Sequence, residues 1–282
     1  MSALVRALSF IALFQAAGVV VFLAIFGRHL ELAFDSIRRL GYIAAVVGVV
    51  LVALHLSLEA ARMAGSLAGV LDSSLQLLVL DSPTSVAATL RIVGLATIAA
   101  ALVRPGLVSR MQLHCASAGA VLTIAGFLFV GHTADDPDRT ALAILLSLHL
   151  AAVAFWFGAL LPLIVVTRKE HATKAMLITD RFSRIASGWV PCILVAGVVM
   201  TALLVHEWAV FAQTYGALLL AKVAAFLLLM LLAALNKWRY APVLARPAAA
   251  VAFQRSVATE YVLICMVLTV TAIMTTFFSP ES

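Results

Sequence analysis

The feature that most constrains this chain is a series of apolar runs, each long enough to cross a lipid bilayer. A spanning helix needs about 20 mostly apolar residues. Eight runs qualify: 4–26, 40–60, 85–103, 111–130, 140–166, 185–205, 216–235 and 257–278. A soluble fold would have to surround these runs with a charged coat, and the chain lacks the residues for one. Asp, Glu, Lys and Arg make up 11% of its 282 residues, against about 25% in soluble domains. This excludes a water-soluble enzyme, a coiled coil, a disordered chain and a nucleic-acid reader. Three Cys exclude a disulfide scaffold. The expected class is all-α: a polytopic bundle of eight transmembrane helices forming one membrane domain over residues 1–282.

The breaks carry turn chemistry. Arg104-Pro105-Gly106 separates the third and fourth runs, Asp135-Asp136-Pro137-Asp138 the fourth and fifth, and Arg246-Pro247 precedes the eighth. The first run is too long and uniform for a signal peptide. Segment 65–84 is apolar but interrupted by Asp72, Gln76 and Asp81, so it is expected to lie at the interface rather than to span.

Lys and Arg set the expected orientation. Alternating spans put fourteen of the nineteen on one side and only Arg6, Arg62, Arg91 and Arg139 on the other, with Lys222 inside a run. The fourteen mark the cytoplasm, so both termini are expected outside it. The net charge of +6 needs no nucleic acid to explain it.

Ionisable groups inside a span are costly and are functional candidates by default. His55, Glu59 and Met63 stand at i, i+4 and i+8 of the second run, on one helical stripe with Arg62 beside it. At about 1.5 Å per residue, His55 lies on the order of 10 Å below the outer surface. His132 ends the fourth run, His149 lies on the order of 13 Å deep in the fifth, and Trp156 follows two turns later. Lys222 sits in the seventh run, His206 at the outer end of the sixth, and Met200 and Met274 in outer halves. Imidazole, thioether and carboxylate together form a copper ligand set. The inner-side thiols Cys115, Cys192 and Cys265 would suit onward passage of Cu(I). Each residue also has a plainer role. His55–Glu59 serves equally as a structural pair, Glu59 equally as the partner of Arg62, and the Met and Cys side chains as packing. His149 resists the plain role best, because an imidazole at that depth needs a partner.

Several short pieces in order resemble the CopD family, the copper resistance protein D membrane proteins. They are Gly131-His132; Leu148-His149-Leu150-Ala151-Ala152 with Phe155-Trp156-Phe157-Gly158-Ala159-Leu160; Phe182-Ser183-Arg184-Ile185-Ala186; Tyr215-Gly216 with Lys222; Asn236 and Pro242; and Arg255-Ser256-Val257 with Glu260. The resemblance covers residues 111–280 well and the first three runs loosely. It implies an eight-helix bacterial inner-membrane protein linked to copper uptake, often beside a separate periplasmic CopC-like copper-binding partner. By motif position it points to His132, His149, Trp156 and Lys222.

Two functions from different classes follow. In the first, a copper permease binds its ion with His55, His132, His149, Glu59 and Met63, with Trp156, Lys222, His206, Met200 and Met274 along or supporting the path. In the second, a redox protein of the cytochrome b kind holds haem b between His55 and His149 as axial ligands. A scaffold that passes copper to a partner without transporting it is a third possibility.

Overall fold

The structure is a computed structural model that describes residues 2–106, 108–130, 139–204 and 214–277. The protein is an all-α polytopic membrane protein. Its helices are α1 (Ser2–Phe26), α2 (Phe34–Met63), α3 (Ser73–Leu80), α4 (Pro83–Leu102), α5 (Arg110–Ala125), α6 (Arg139–Lys169), α7 (Ala172–Leu204), α8 (Thr214–Leu235) and α9 (Pro247–Phe277). Among the described residues, seven are long and apolar enough to cross a membrane; these are all but α3 and α5.

The remaining expected run, 111–130, is helical over a shorter stretch. Its helix α5 has 16 residues, opened by a capping box in which Ser109 and Gln112 satisfy each other's backbone N–H groups. It closes at Gly126, and turns carry the chain on through Phe129. Segment 65–84 does not form a span: a 3₁₀ turn, Leu67–Leu71, leads into the eight-residue α3.

With no water to expel between apolar helices, close packing has to come from small residues. Helix α1 is the centre of the bundle and touches α2, α4, α5, α6 and α9. It crosses α6 at Gly18 and Gly158, where a Cβ on Gly18 would lie 2.0 Å from the Ala154 carbonyl oxygen. Buried Gln15 reinforces this crossing by donating to the Gly158 carbonyl at 3.1 Å. Helices α4 and α5 meet the same way at Gly94 and Gly119, with a Cβ-to-carbonyl approach of 2.5 Å. The outer faces are apolar and exposed, for example Val50, Val121, Val195, Leu227 and Leu231. Such a surface is stable against lipid and an aggregation hazard in water.

Polar clamps hold the two ends of the bundle. At one end, the Arg6 guanidinium donates to the Thr275 carbonyl at 2.8 Å, joining the start of α1 to the end of α9. Arg91 of α4 donates to the Gly126 carbonyl at 3.2 Å and lies 4.1 Å over the Phe127 ring, so a buried cation is met by a helix C-terminus and an aromatic face. At the other end, Glu170 beyond α6 accepts from the backbone N–H groups of Glu31, Leu32 and Ala33 at 2.8, 2.9 and 2.8 Å, just ahead of α2. Lys169 donates to Ser36 at 2.7 Å, and Lys174 pairs with Glu31. The two ends of the described chain therefore lie at one face of the bundle.

Candidate functional site

The expected site residues fall into separate neighbourhoods. At the Arg6 end, one turn of α2 brings His55 and Glu59 together, with Nε2 and Oε1 3.5 Å apart. The second Glu59 oxygen pairs with Arg62 at 2.7 Å. His55 is buried, and its Nδ1 has no hydrogen-bond partner among the described residues. The guanidiniums of Arg6, Arg91 and Arg62 all lie within electrostatic reach of it. Glu59 is thus paired with Arg62 and within electrostatic reach of Arg6. Met63, at the end of the same stripe, is 52% exposed and stands apart from the group.

His149 of α6 lies elsewhere. Its Nδ1 is 3.0 Å from the Ile193 carbonyl oxygen of α7. A carbonyl only accepts, so Nδ1 carries the proton and the Nε2 lone pair is left for another partner. Gly197, one turn beyond Ile193, leaves room for the ring: a Cβ there would sit 3.8 Å from His149 Cε1. Lys222 of α8 is within electrostatic reach of the same imidazole. No described hydrogen bond or ion pair joins the His149 group to the His55 group.

Trp156, two turns beyond His149, is buried and packs edge-on to Phe226, with ring centroids 6.2 Å apart. It lines the same cavity as Glu260 of α9. Met200 is half-buried on α7, and Met274 is buried near the end of α9. His132 and His206 lie outside the described residues. Among the described residues, no three His, Cys, Asp or Glu side chains stand close enough together to hold a metal ion. The three Cys are free and spread over α5, α7 and α9.

Sequence reasoning used Asn236 and Glu260 only as family markers. In the structure they are partners: the Asn236 amide donates to Glu260 Oε1 deep inside the protein. Asn236 opens a π-helical turn, Asn236–Tyr240, directly after α8. Turns of this kind recur at functional sites. A carboxyl four residues into an apolar run was the signal for Glu260 (residue 257 opens that run). Asn236 and Trp156 lie 24 and 104 residues away, and only the fold brings them together.

Two family comparisons cover most of the chain. Residues 1–142 match the family described as copper resistance protein D-like, N-terminal domain, and residues 176–274 match copper resistance protein D. Comparison with curated proteins and with solved structures returns no match. The first of these matches spans half of the 282 residues. The helical bundle, its apolar outer faces and both halves of the sequence agree: this chain belongs to the copper resistance protein D family of membrane proteins.

Proposed function

We propose that this protein carries copper across the bacterial inner membrane, from periplasm to cytoplasm, through an intramembrane site centred on His149. The observation that carries the proposal is the His149 Nδ1 contact with the Ile193 carbonyl at 3.0 Å. Metal-binding histidines usually donate their other ring N–H to a carbonyl or carboxylate, which holds the ring and directs the free lone pair at the ion. Copper accepts imidazole nitrogen in both oxidation states. Membership of a copper-resistance family makes copper the natural cargo.

The His55 group takes a different part in this scheme. Three guanidiniums within electrostatic reach of His55, one of them paired with Glu59, oppose a bound cation, so His55, Glu59 and Arg62 are assigned to the charge balance of the mouth. Met63 stays outside both groups. The copper donor is a periplasmic CopC-like protein, as the family resemblance implies. Haem between His55 and His149 gains no support: each imidazole is turned to its own neighbour, and no described contact joins the two.

The test is copper content and copper uptake of His149→Ala against wild type, with folding checked by gel filtration in detergent. Wild type is expected to hold near-stoichiometric copper, and the variant to lose at least about 10-fold in affinity. Unchanged content and uptake in the variant would remove His149 from the path.

A further inference from the structure

Helices α6, α7, α8 and α9 and the π-helical turn enclose a cavity of about 300 Å³ that the copper site does not use. Its wall is mainly apolar; Glu260, Asn236, Thr179 and the Trp156 indole supply polar groups, and Ser183, Ser187 and Lys237 also line it. Glu260 is 2% exposed and roughly midway along α9. Asn236 Nδ2 donates to its carboxyl group, and the Trp156 indole lines the cavity with it. Two further polar atoms have no hydrogen-bond partner among the described residues: Asn236 Oδ1, and Thr179 Oγ1 on a side chain that is 2% exposed. Other hydroxyls in these helices satisfy themselves on the carbonyl four residues back, as Thr201 does on Gly197 at 2.8 Å. Thr179 does not.

The charges around Glu260 are few. Helices α6, α7 and α8 line the cavity with no ionisable side chain among the described residues. The π-helical turn contributes Lys237, whose ammonium donates to Ser187 at 2.7 Å and is exposed. On α9 itself, Tyr261 stacks on Phe157, and Cys265 is its neighbour. Helix α1 brings Arg6 to α9 only at Thr275 and Thr276, four turns away. Among the described residues, Glu260 therefore has no basic partner. A carboxyl group buried in a membrane without one must take its compensating positive charge from a mobile species.

We propose that Glu260, positioned by Asn236, is a proton-exchange site opening on this cavity, and that copper at His149 displaces its proton. The coupling rests on the copper reading above; the exchange site itself does not. His149 and Trp156 stand seven residues apart on one face of α6, about 10 Å along the axis. A cation arriving at His149 disfavours a proton at Glu260. The carboxyl O–H bond then breaks, its electron pair stays on oxygen, and the proton passes to a water molecule in the cavity as hydronium. The Asn236 N–H holds the carboxylate that remains. When copper leaves, the proton returns.

Two measurements on the full-length protein test this. The first needs no copper: infrared spectra of wild type and Glu260→Gln across about pH 5 to 9. A protonated-carboxyl band that titrates in wild type and is lost in the variant supports the exchange site. A band that Glu260→Gln leaves in place, or that does not titrate, overturns it. Trp156→Phe keeps the ring contact with Phe226 and removes one N–H from the cavity wall. It is expected to displace the midpoint by about one pH unit, which a merely structural role would not do. The second measurement follows proton release on adding copper at about pH 8, where an ordinary imidazole is already neutral. Proton release per bound copper equal to the fraction of Glu260 that the infrared titration shows protonated at that pH is expected from wild type, and none from Glu260→Gln at equal copper loading. Copper binding by wild type without proton release overturns the coupling. Copper binding that depends on sodium rather than pH overturns the proton assignment in favour of a hard cation. If wild type binds no copper, the transport proposal fails, and the infrared result alone decides the fate of Glu260.

Discussion

At the scale of single residues, what separates the histidines is the neighbour each one faces. His149 faces a carbonyl and a glycine; His55 faces a carboxylate that Arg62 already pairs with. Gly197 makes the first arrangement testable. A methyl group there meets His149 Cε1 at 3.8 Å, an ordinary contact, so Gly197→Ala is expected to bind copper like wild type. Gly197→Leu pushes the ring off the Ile193 carbonyl and is expected to weaken copper binding about 10–100-fold; titration with a competing chelator reads the difference. At the opposite end, Glu170 is a structural counterpart. One buried oxygen serves three backbone N–H groups ahead of α2. Glu170→Ala leaves all three without their acceptor and is expected to cost about 3 kcal/mol, measured as lost thermal stability in detergent. Glu170→Gln keeps an acceptor oxygen and is expected to lose about half as much. Equal stability of the alanine variant and wild type would show that water replaces the carboxylate without cost.

At the scale of helices, the spans were legible because a run of about 20 apolar residues has one stable fate in a bilayer. The helix ends were less so. Helix α7 begins at Ala172, 13 residues before the expected run, because its first turns carry Lys174, Asp180, Arg181 and Arg184 and continue the helix without being apolar. The start of α2 was hidden in the same way by Asp35, Arg38 and Arg39. Helix crossings were not legible at all. Among the described glycines, Gly18 and Gly158 touch backbone to backbone while Gly188 meets nothing within 4 Å, and no local pattern separates them. Gly18→Ala is therefore expected to disrupt the α1–α6 crossing and cost about 3 kcal/mol or more, seen as aggregation or loss of the folded peak. Gly188→Ala is expected to be neutral or stabilising by up to about 1 kcal/mol. The short α3 depends on Asp72, whose carboxylate accepts from the Ser74 hydroxyl and the Ser74 and Leu75 amides. The Ser74 hydroxyl above all, and then the two amides, hold Asp72 below the usual carboxylate range. The ionised cap thus stabilises α3 above about pH 4. That stabilisation is lost as pH falls through the lowered value, so amide exchange at Leu75 and Gln76 is expected to quicken below about pH 4. Unchanged protection in Asp72→Ala would show the cap to be idle.

At the scale of the whole molecule, the structure sharpens the charge argument for orientation. The basic residues at the face holding both described ends are Arg6, Arg62, Arg91 and Arg139. Three of them are engaged within the protein: Arg6 on Thr275 and Thr276, Arg62 on Glu59, and Arg91 on Gly126 and Phe127. A cation whose charge is met by carbonyls, a carboxylate or an aromatic face contributes little to the loop charge that sets insertion. The opposite face keeps exposed cations in plenty, among them Arg39, Arg104, Arg110, Arg239, Arg246 and Arg255. The asymmetry that the insertion machinery meets is therefore steeper than fourteen to four. On the proposed function, it is expected to put the His55 group at the periplasmic mouth and Glu170 at the cytoplasmic end. Alkaline phosphatase fused after Phe277 is expected to be active and a fluorescent protein there dark; fusions after Lys169 are expected to behave the opposite way. The reverse pattern would turn the bundle over. His149 would remain a candidate ligand, but copper would then meet the His55 group on leaving the membrane, and the protein would be an exporter.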